Sequence, residues 1–468
     1  MSPPSITYRD LRNTPGRVFE RLAAGRAPDI GRRWHRSALS SSMNLEIVTI
    51  GDELLLGFTI DTNAAHLARE LAALGIRIVR RTTVGDEPSG ITTAIREALE
   101  RTGAVITTGG LGPTADDRTK PAIADVFGRA MVLDRALLES LEQRWLTRFG
   151  VAMPESNRQQ AMIPERATVL TNKHGSAPGI WLEDTRNRWV AMLPGVPREM
   201  RGMLADTLLP RIRDRVSSGG PVVRSRTLRT ASISESAIAD RLGELGRGVD
   251  GFSLAFLPGV EGVDLRLTSK AFPADETDRR LTDAAAKLHD IVGRFVYGEG
   301  DTDLAARMIA ECIERDATIA VAESCTGGLL GARLTAISGS SAVVQGGVIA
   351  YSNEVKIREL GVPSYAIEES GAVSEPVARA MASGVRAKFG TTVGIGITGI
   401  AGPLGGTPEK PVGTVWIAVD VAGQVHAIRA LLPGDRAEIR QRGAQLALDR
   451  LRRVFAADAA SEGWTVRA

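Results

Sequence analysis

The sequence predicts an α/β protein built from three folded units, and three observations carry that reading. Short apolar runs suited to buried strands alternate with segments of helical spacing from residue 43 to about 215, and again from about 300 onward. Glycine is enriched, 50 in 468 residues, and several glycine clusters directly follow predicted strands, where α/β sheets bind ligands. The length suits about three domains of roughly 150 residues each. The expected boundaries are a parallel-sheet domain over 43–218, a small α+β domain over 219–299 and a C-terminal α/β domain over 300–460.

Residues 1–42 are rich in Pro, Gly, Ser and Arg without sustained periodicity, and read as a flexible tail with a short helix at Val18–Ala24. An alternative expectation starts translation at Met43. From there strands are predicted at Ile47–Ile50, Val79–Val84, Ala104–Thr108 and Trp189–Leu193. Helices are expected at Thr62–Leu74, Ile91–Glu100 and from Pro197, an order that calls for a parallel sheet covered on both faces. Between 222 and 298 the rhythm changes to β-α-β-β-α-β. Its predicted elements are Val222–Thr230, Glu235–Leu245, Ser253–Leu257, Val263–Ser269, Asp275–Val292 and Phe295–Tyr297, with helices on one face. The third unit opens near Asp301 with a helix, strand Thr318–Ala322, another helix, and strands Val343–Tyr351, Val393–Ile397 and Thr414–Val419.

Composition removes several classes of function. Two cysteines, Cys312 and Cys325, exclude a disulfide scaffold and a Cys-rich metal site, and favour a reducing, cytoplasmic location. No apolar run reaches the length of a membrane span, so no membrane partner is expected. The net charge of +3 comes from the tail, where residues 1–42 hold eight Arg, no Lys and three acids. The remaining chain has 50 basic and 52 acidic residues and lacks a field that would draw nucleic acid. Gly243-Glu-Leu-Gly246 formally matches a nucleic-acid-binding GXXG loop, but Glu244 opposes a phosphate backbone. A structural or dimer-forming role is expected there instead.

The sharpest element of the first unit is Val105-Ile-Thr-Thr-Gly-Gly-Leu-Gly-Pro-Thr-Ala-Asp-Asp117, a buried strand, a glycine turn and then a helix with acids in its first turn. Gly109, Gly110, Gly112 and Thr114 would let an anionic ligand approach backbone amides. Asp116 and Asp117 suit a divalent cation beside a phosphate, or a base, or simple helix capping. Two further loops would converge there. One carries Asp52, Glu53, Asp61 and Asn63, and the other is Met192-Leu-Pro-Gly-Val-Pro-Arg-Glu-Met200.

In the last unit a strand runs into Glu323-Ser-Cys-Thr-Gly-Gly328. Ser324 would stand exposed at the strand end, with the loop around Thr326, Gly327 and Gly328 supplying amides to an oxyanion. The only histidine after residue 300 is His426, in a strand-like run, so the base must be another group. Gly346-Gly-Val-Ile-Ala-Tyr-Ser-Asn-Glu-Val-Lys356 offers Tyr351 and Lys356, the lysine being useful only if desolvation or a second cation lowers its pKa. Thr398-Gly-Ile-Ala-Gly402 forms another glycine loop. Thr398, Gly399 and Gly402 would cradle a phosphate, with Lys410 or Arg436 adding charge. Cys325 is expected to be a buried, inert thiol.

These segments together resemble the CinA family of competence/damage-inducible proteins. GDELLLGFTIDTN, TTGGLGPTADD and MLPGVPREM resemble its amino-terminal domain, and AESCTGGLL, GGVIAYSNEVK, TGIAGPLGG and KPVGTVWIA its carboxyl-terminal domain. The resemblance covers residues 43–455. It implies a molybdopterin-binding-like first domain that hydrolyses ADP-ribose to AMP and ribose phosphate with a divalent metal. Asp52, Glu53, Asp116 and Asp117 are the expected metal-facing residues, of which Glu53 and Asp117 match the family pattern. Lys173 and His174 depart from it, in Asn172-Lys-His-Gly-Ser-Ala-Pro-Gly179.

The resemblance further implies a last domain, free of cofactor, that deamidates nicotinamide mononucleotide through Ser324, Tyr351 and Lys356, and a homodimer. The expected mechanism has Tyr351 and Lys356 draw the proton from Ser324 while the Gly327 and Gly328 amides hold the oxyanion. A non-catalytic nucleotide- or pterin-binding module, or an interaction protein of DNA uptake, is the alternative.

Overall fold

The computed structural model describes residues 43–114, 116–215, 223–269 and 272–456, so the expected tail helix lies outside the described residues. The first domain centres on a six-stranded sheet. Its strands are β1 (Asn44–Ile50), β2 (Arg77–Val84) and β3 (Ala104–Thr108), followed by a short β4 (Met131–Leu133) and β5 (Met162–Pro164) that pair only with each other. Strands β6 (Thr168–Leu170), β7 (Gly179–Glu183) and β8 (Trp189–Leu193) complete the order β2-β1-β3-β8-β7-β6. The continuous apolar runs of β3 and β8 place them at the centre: both are buried at every position, as strands covered on both faces must be. The sheet is parallel only through β8, because β7 and β6 return as hairpin partners.

Strand β1 pairs with β2 on one side and β3 on the other, which opens a crevice beyond their carboxyl ends. Gly109 sits at that crevice with φ +110, and a Cβ there would lie 2.0 Å from the Ile50 carbonyl oxygen, so only glycine fits.

The middle domain is an antiparallel sheet of β9 (Arg224–Thr230), β10 (Ser253–Pro258), β11 (Val263–Ser269) and β12 (Val296–Glu299), in the order β10-β11-β9-β12. Its core packs Leu228, Leu265 and Leu267 against Ile238, Leu281, Leu288 and Phe295. Ser232 there takes a left-handed backbone, φ 59, and its hydroxyl donates to Asp449 of the last helix at 2.6 Å. Asp449 is buried and also accepts from Arg452 and Arg453, so one ion cluster joins the middle and last domains.

The last domain has a five-stranded sheet of β13 (Ile319–Glu323), β14 (Val344–Ile349), β15 (Val393–Gly399), β16 (Thr414–Val421) and β17 (Gln424–Leu431), ordered β14-β13-β15-β16-β17. The first three are parallel and the last two antiparallel. The Leu304–Glu314 helix buries Leu304, Ala305, Met308, Ile309 and Cys312, the stripe expected of a helix laid on a sheet. Here too the chain reverses about one strand, β13, and Ser324 follows it directly.

Candidate active site

Ser324 is fixed by the sheet and by the turn it opens. Its amide donates to the Ile397 carbonyl of the neighbouring strand, and Gly327 (φ 60) and Gly328 (φ 92) then reverse the chain into the Leu329–Thr335 helix. Glu323, 1% exposed, locks that turn: its carboxylate accepts from the amides of Gly328 at 3.0 Å, Leu330 at 3.1 Å and Gly331 at 2.8 Å. A charged acceptor thus takes the place of an N-cap for this helix.

Lys356 reaches the serine from the Asn353–Leu360 helix, and is only 2% exposed. Its Nζ lies 3.2 Å from Ser324 Oγ, 2.9 Å from the Ala350 carbonyl oxygen and 3.2 Å from that of Tyr351. Desolvation holds its pKa below the ordinary lysine value, against the opposing pull of Cys325 and Glu354. A neutral amine would keep two N–H bonds on the two carbonyls and turn its lone pair to Ser324 Oγ. The arrangement is a serine–lysine dyad.

Three sequence expectations need correction. The Tyr351 phenol does not touch Ser324: it is 61% exposed and accepts from Arg436 Nη2 at 3.0 Å, so only the residue's backbone carbonyl meets Lys356. The residue lies two positions past the end of the edge strand β14, and its side chain is turned to solvent. The Gly327 and Gly328 amides are not free for an oxyanion, because they are bonded to the Ser324 carbonyl and to Glu323. Lys410 is tied to the Ser370 carbonyl at 2.6 Å rather than held over the glycine loop.

The other predicted residues gather around the dyad. Thr398 is buried beside β13, with its hydroxyl on the Ala372 carbonyl. Arg436 bridges the Gly402 carbonyl at 2.7 Å and the Tyr351 phenol, pinning the glycine loop after Gly399 to the strand end. Arg440, which sequence reasoning passed over, donates Nε and Nη2 to the Thr326 carbonyl at 3.2 and 2.8 Å. Arg436 and Arg440 line a cleft of about 670 Å³ with Ala401, Pro403 and Val412. Cys325 is buried, and desolvation pushes its thiol up to about 12, so it is protonated and inert. His426 lies on the edge strand β17 opposite Val419.

In the first domain the three loops do converge. Asn63 Nδ2 donates to Thr108 Oγ1 at 3.0 Å and to the Gly195 carbonyl at 2.7 Å, so this residue braces the loops with the group expected to bind substrate. Asp116 and Asp117 do not open a helix. The helix begins at Thr119, delayed by the Gly112-Pro113 turn, and Asp117 instead closes that turn by accepting from the Gly112 amide, the Thr114 amide and the Thr114 hydroxyl. Gly110 admits Thr119 Oγ1, which donates to the Gly109 carbonyl.

Asp52 and Asp86 cap each other's amides. Desolvation first, and then repulsion from Asp52, Glu53 and Asp116, raises the Asp86 pKa. These carboxylates therefore share one neighbourhood, yet among the described residues no three acids, His or Cys converge as a ready cage for a cation. Lys120 went unnoticed in the sequence. It is buried, donates to the Gln159 and Gln160 carbonyls at 2.8 and 3.1 Å, and desolvation lowers its pKa to about 8. Nothing local marks it, since its partners lie some forty residues on.

No described helix is long and apolar enough to cross a membrane. In the middle domain Glu244 pairs with Arg247 at 3.0 Å, which removes positive charge from the GXXG loop.

Comparison with known proteins follows the same three parts. Residues 46–214 match a probable molybdopterin binding domain, residues 225–298 the damage-inducible protein CinA KH domain and residues 301–455 the CinA C-terminal domain. A CinA-like protein of Gemmatimonas aurantiaca is 73% identical over 427 residues, covering 91% of this chain and all of that one. One from Salinibacter ruber is 44% identical, covering 88% of this chain and all of its own. Among solved structures, the CinA protein of Thermoplasma acidophilum is 31% identical with a TM-score of 0.34, covering 37% of this chain and 98% of its own.

Proposed function

The chain belongs to the CinA family, and from that premise we propose that its last domain is a serine amidase that converts nicotinamide mononucleotide to nicotinate mononucleotide and ammonia. The observation that carries the reading is the buried 3.2 Å contact between Lys356 Nζ and Ser324 Oγ. Neutral Lys356 takes the proton as Ser324 Oγ attacks the carboxamide carbon. The resulting ammonium returns that proton to the departing nitrogen, and the C–N bond breaks to leave an ester on Ser324. Water, deprotonated by the same amine, then cleaves the ester and restores the serine. Arg436 and the Tyr351 phenol stand at the rim, where an anionic substrate would be oriented by groups remote from the reacting carbon.

For the first domain we propose hydrolysis of ADP-ribose to AMP and ribose phosphate, supported by the family and by the convergence of the three loops. The divalent cation expected of the family would sit beside Asp52, Glu53 and Asp116 and would neutralise the substrate's diphosphate. Homodimer formation and a cytoplasmic setting belong to the same proposal.

The deciding experiment follows ammonia and AMP separately, with purified protein and each nucleotide in turn. Ser324→Ala is expected to abolish ammonia release from nicotinamide mononucleotide and to leave AMP production from ADP-ribose intact. Undiminished ammonia release in that variant overturns the amidase assignment.

A further inference from the structure

Strands β10 and β11 are joined by a tight turn, Gly259-Val-Glu-Gly262, which the Gly259 amide closes by donating to the Gly262 carbonyl at 2.8 Å. Gly262 has φ +152, and a Cβ there would lie 1.9 Å from the Thr230 carbonyl oxygen, so the turn is pressed against β9 and Glu261 has a fixed place. The Glu261 carboxylate is shared by two guanidinium groups on either side of a domain boundary. One is Arg229 of β9, with Nη2 at 3.0 Å, and the other is Arg333 of the Leu329–Thr335 helix, with Nη2 at 3.2 Å.

That helix is the one the serine turn opens, with the Leu330 and Gly331 amides on Glu323. Arg333 is largely buried, and its other bonds run to Gln445 Oε1 at 2.8 Å and Asp303 Oδ2 at 3.3 Å. Gln445 belongs to the Arg436–Phe455 helix, which also carries Arg440, the donor to the Thr326 carbonyl. Arg333 thus links the two helices that hold the turn from Ser324 to Gly328. The middle domain reaches both of them, the first through Glu261 and the second through the Ser232–Asp449 bond. An isolated surface ion pair would contribute little. This carboxylate instead binds two largely buried cations, and a proton-transfer contact of 3.2 Å is sensitive to small shifts of the turn behind it.

We propose that Glu261 is a positioning residue: the middle domain uses it to hold Arg333, and through Arg333 the turn that sets Ser324 against Lys356. The brace acts on the turn itself, and only its effect on ammonia release rests on the amidase reading. Without it the turn drifts and Ser324 spends less time within reach of the lysine, so the cost falls on the chemical step and not on substrate binding. A contact that merely added stability would lower the melting temperature and leave that step alone.

The test compares the full chain with Glu261→Ala, Arg333→Ala, the double variant and Arg333→Lys. Hydrogen exchange in peptides spanning 323–335 reads the turn directly, and in the three Ala variants it should be at least about fivefold faster, with β15 unchanged. In the same variants kcat for ammonia release should fall at least about fivefold with KM within about twofold of the parent. The double variant should be no worse than the poorer single one, and Arg333→Lys should keep at least about half of the parental kcat. Glu244→Ala, which breaks an exposed pair elsewhere in the middle domain, should change neither readout. The proposal falls if Glu261→Ala exchanges like the parent over 323–335, if the two substitutions add in full, or if melting drops while kcat is retained. A parent that releases no ammonia overturns the amidase reading instead, and the exchange measurement still decides the brace.

Discussion

Lys356 and Ser324 face each other across 3.2 Å, both buried, with the lysine's other hydrogens directed at the carbonyls of Ala350 and Tyr351. Desolvation penalises the ammonium, and two neutral carbonyls compensate it only in part. The pair is therefore built to supply an uncharged amine next to a hydroxyl. Its pH behaviour is the most direct reporter of that design.

Ammonia release should rise with pH at unit slope in kcat/KM and level off at an apparent pKa below the roughly 10.4 of a free lysine. The sign follows from the base being the deprotonated form. Lys356→Arg, which stays charged, should lose at least about a thousandfold at every pH measured. A profile with no ascending limb in the parent enzyme speaks against the lysine as base.

Glu323 holds the turn through three amide hydrogens. Glu323→Gln replaces one acceptor oxygen by a donor, so at least one buried N–H loses its partner. Stability should drop by about 2–3 kcal/mol in urea unfolding, and kcat should fall more than KM rises. Equal stability in the variant would mean that the turn does not need the charge.

Arg436→Ala removes the link between the Gly402 carbonyl and the Tyr351 phenol. Loss of an orienting group at the rim should raise KM for nicotinamide mononucleotide about tenfold with a smaller change in kcat. Steady-state kinetics across substrate concentrations separates the two effects.

Lys120 is buried with its pKa lowered to about 8 by desolvation. The unfolded chain then binds more protons than the folded one between about pH 8 and the free-lysine value, so stability from this residue rises with pH across that window. The difference corresponds to about 3 kcal/mol. Lys120→Met should flatten this part of the stability curve, which denaturant unfolding of parent and variant at several pH values will show.

How far the site could be read in advance depended on how local its partners are. Ser324 directly follows β13 and Lys356 sits on the helix that follows the adjacent β14, so placing the strands brought the residues together. The Tyr351 side chain was misplaced because a residue two steps past a strand end can point to either side, and Arg436, 85 residues on, decides which. Asp117 looked like a helix residue until the Gly112-Pro113 turn used its carboxylate as a staple. Strands β4 to β6 are only three residues long, too short for alternation to register, so none of them was legible in the sequence. Glu323 did carry a signal, as the one acid ending an otherwise apolar strand.

The bond between Ser232 and Asp449 has a bearing on how the chain matures. Ser232 occupies a backbone region that a residue with a Cβ enters at some cost, and the group that steadies it lies 217 residues further along. During synthesis the middle domain emerges long before that helix, and it must wait, with its turn unbraced, until the helix has followed it out of the ribosome.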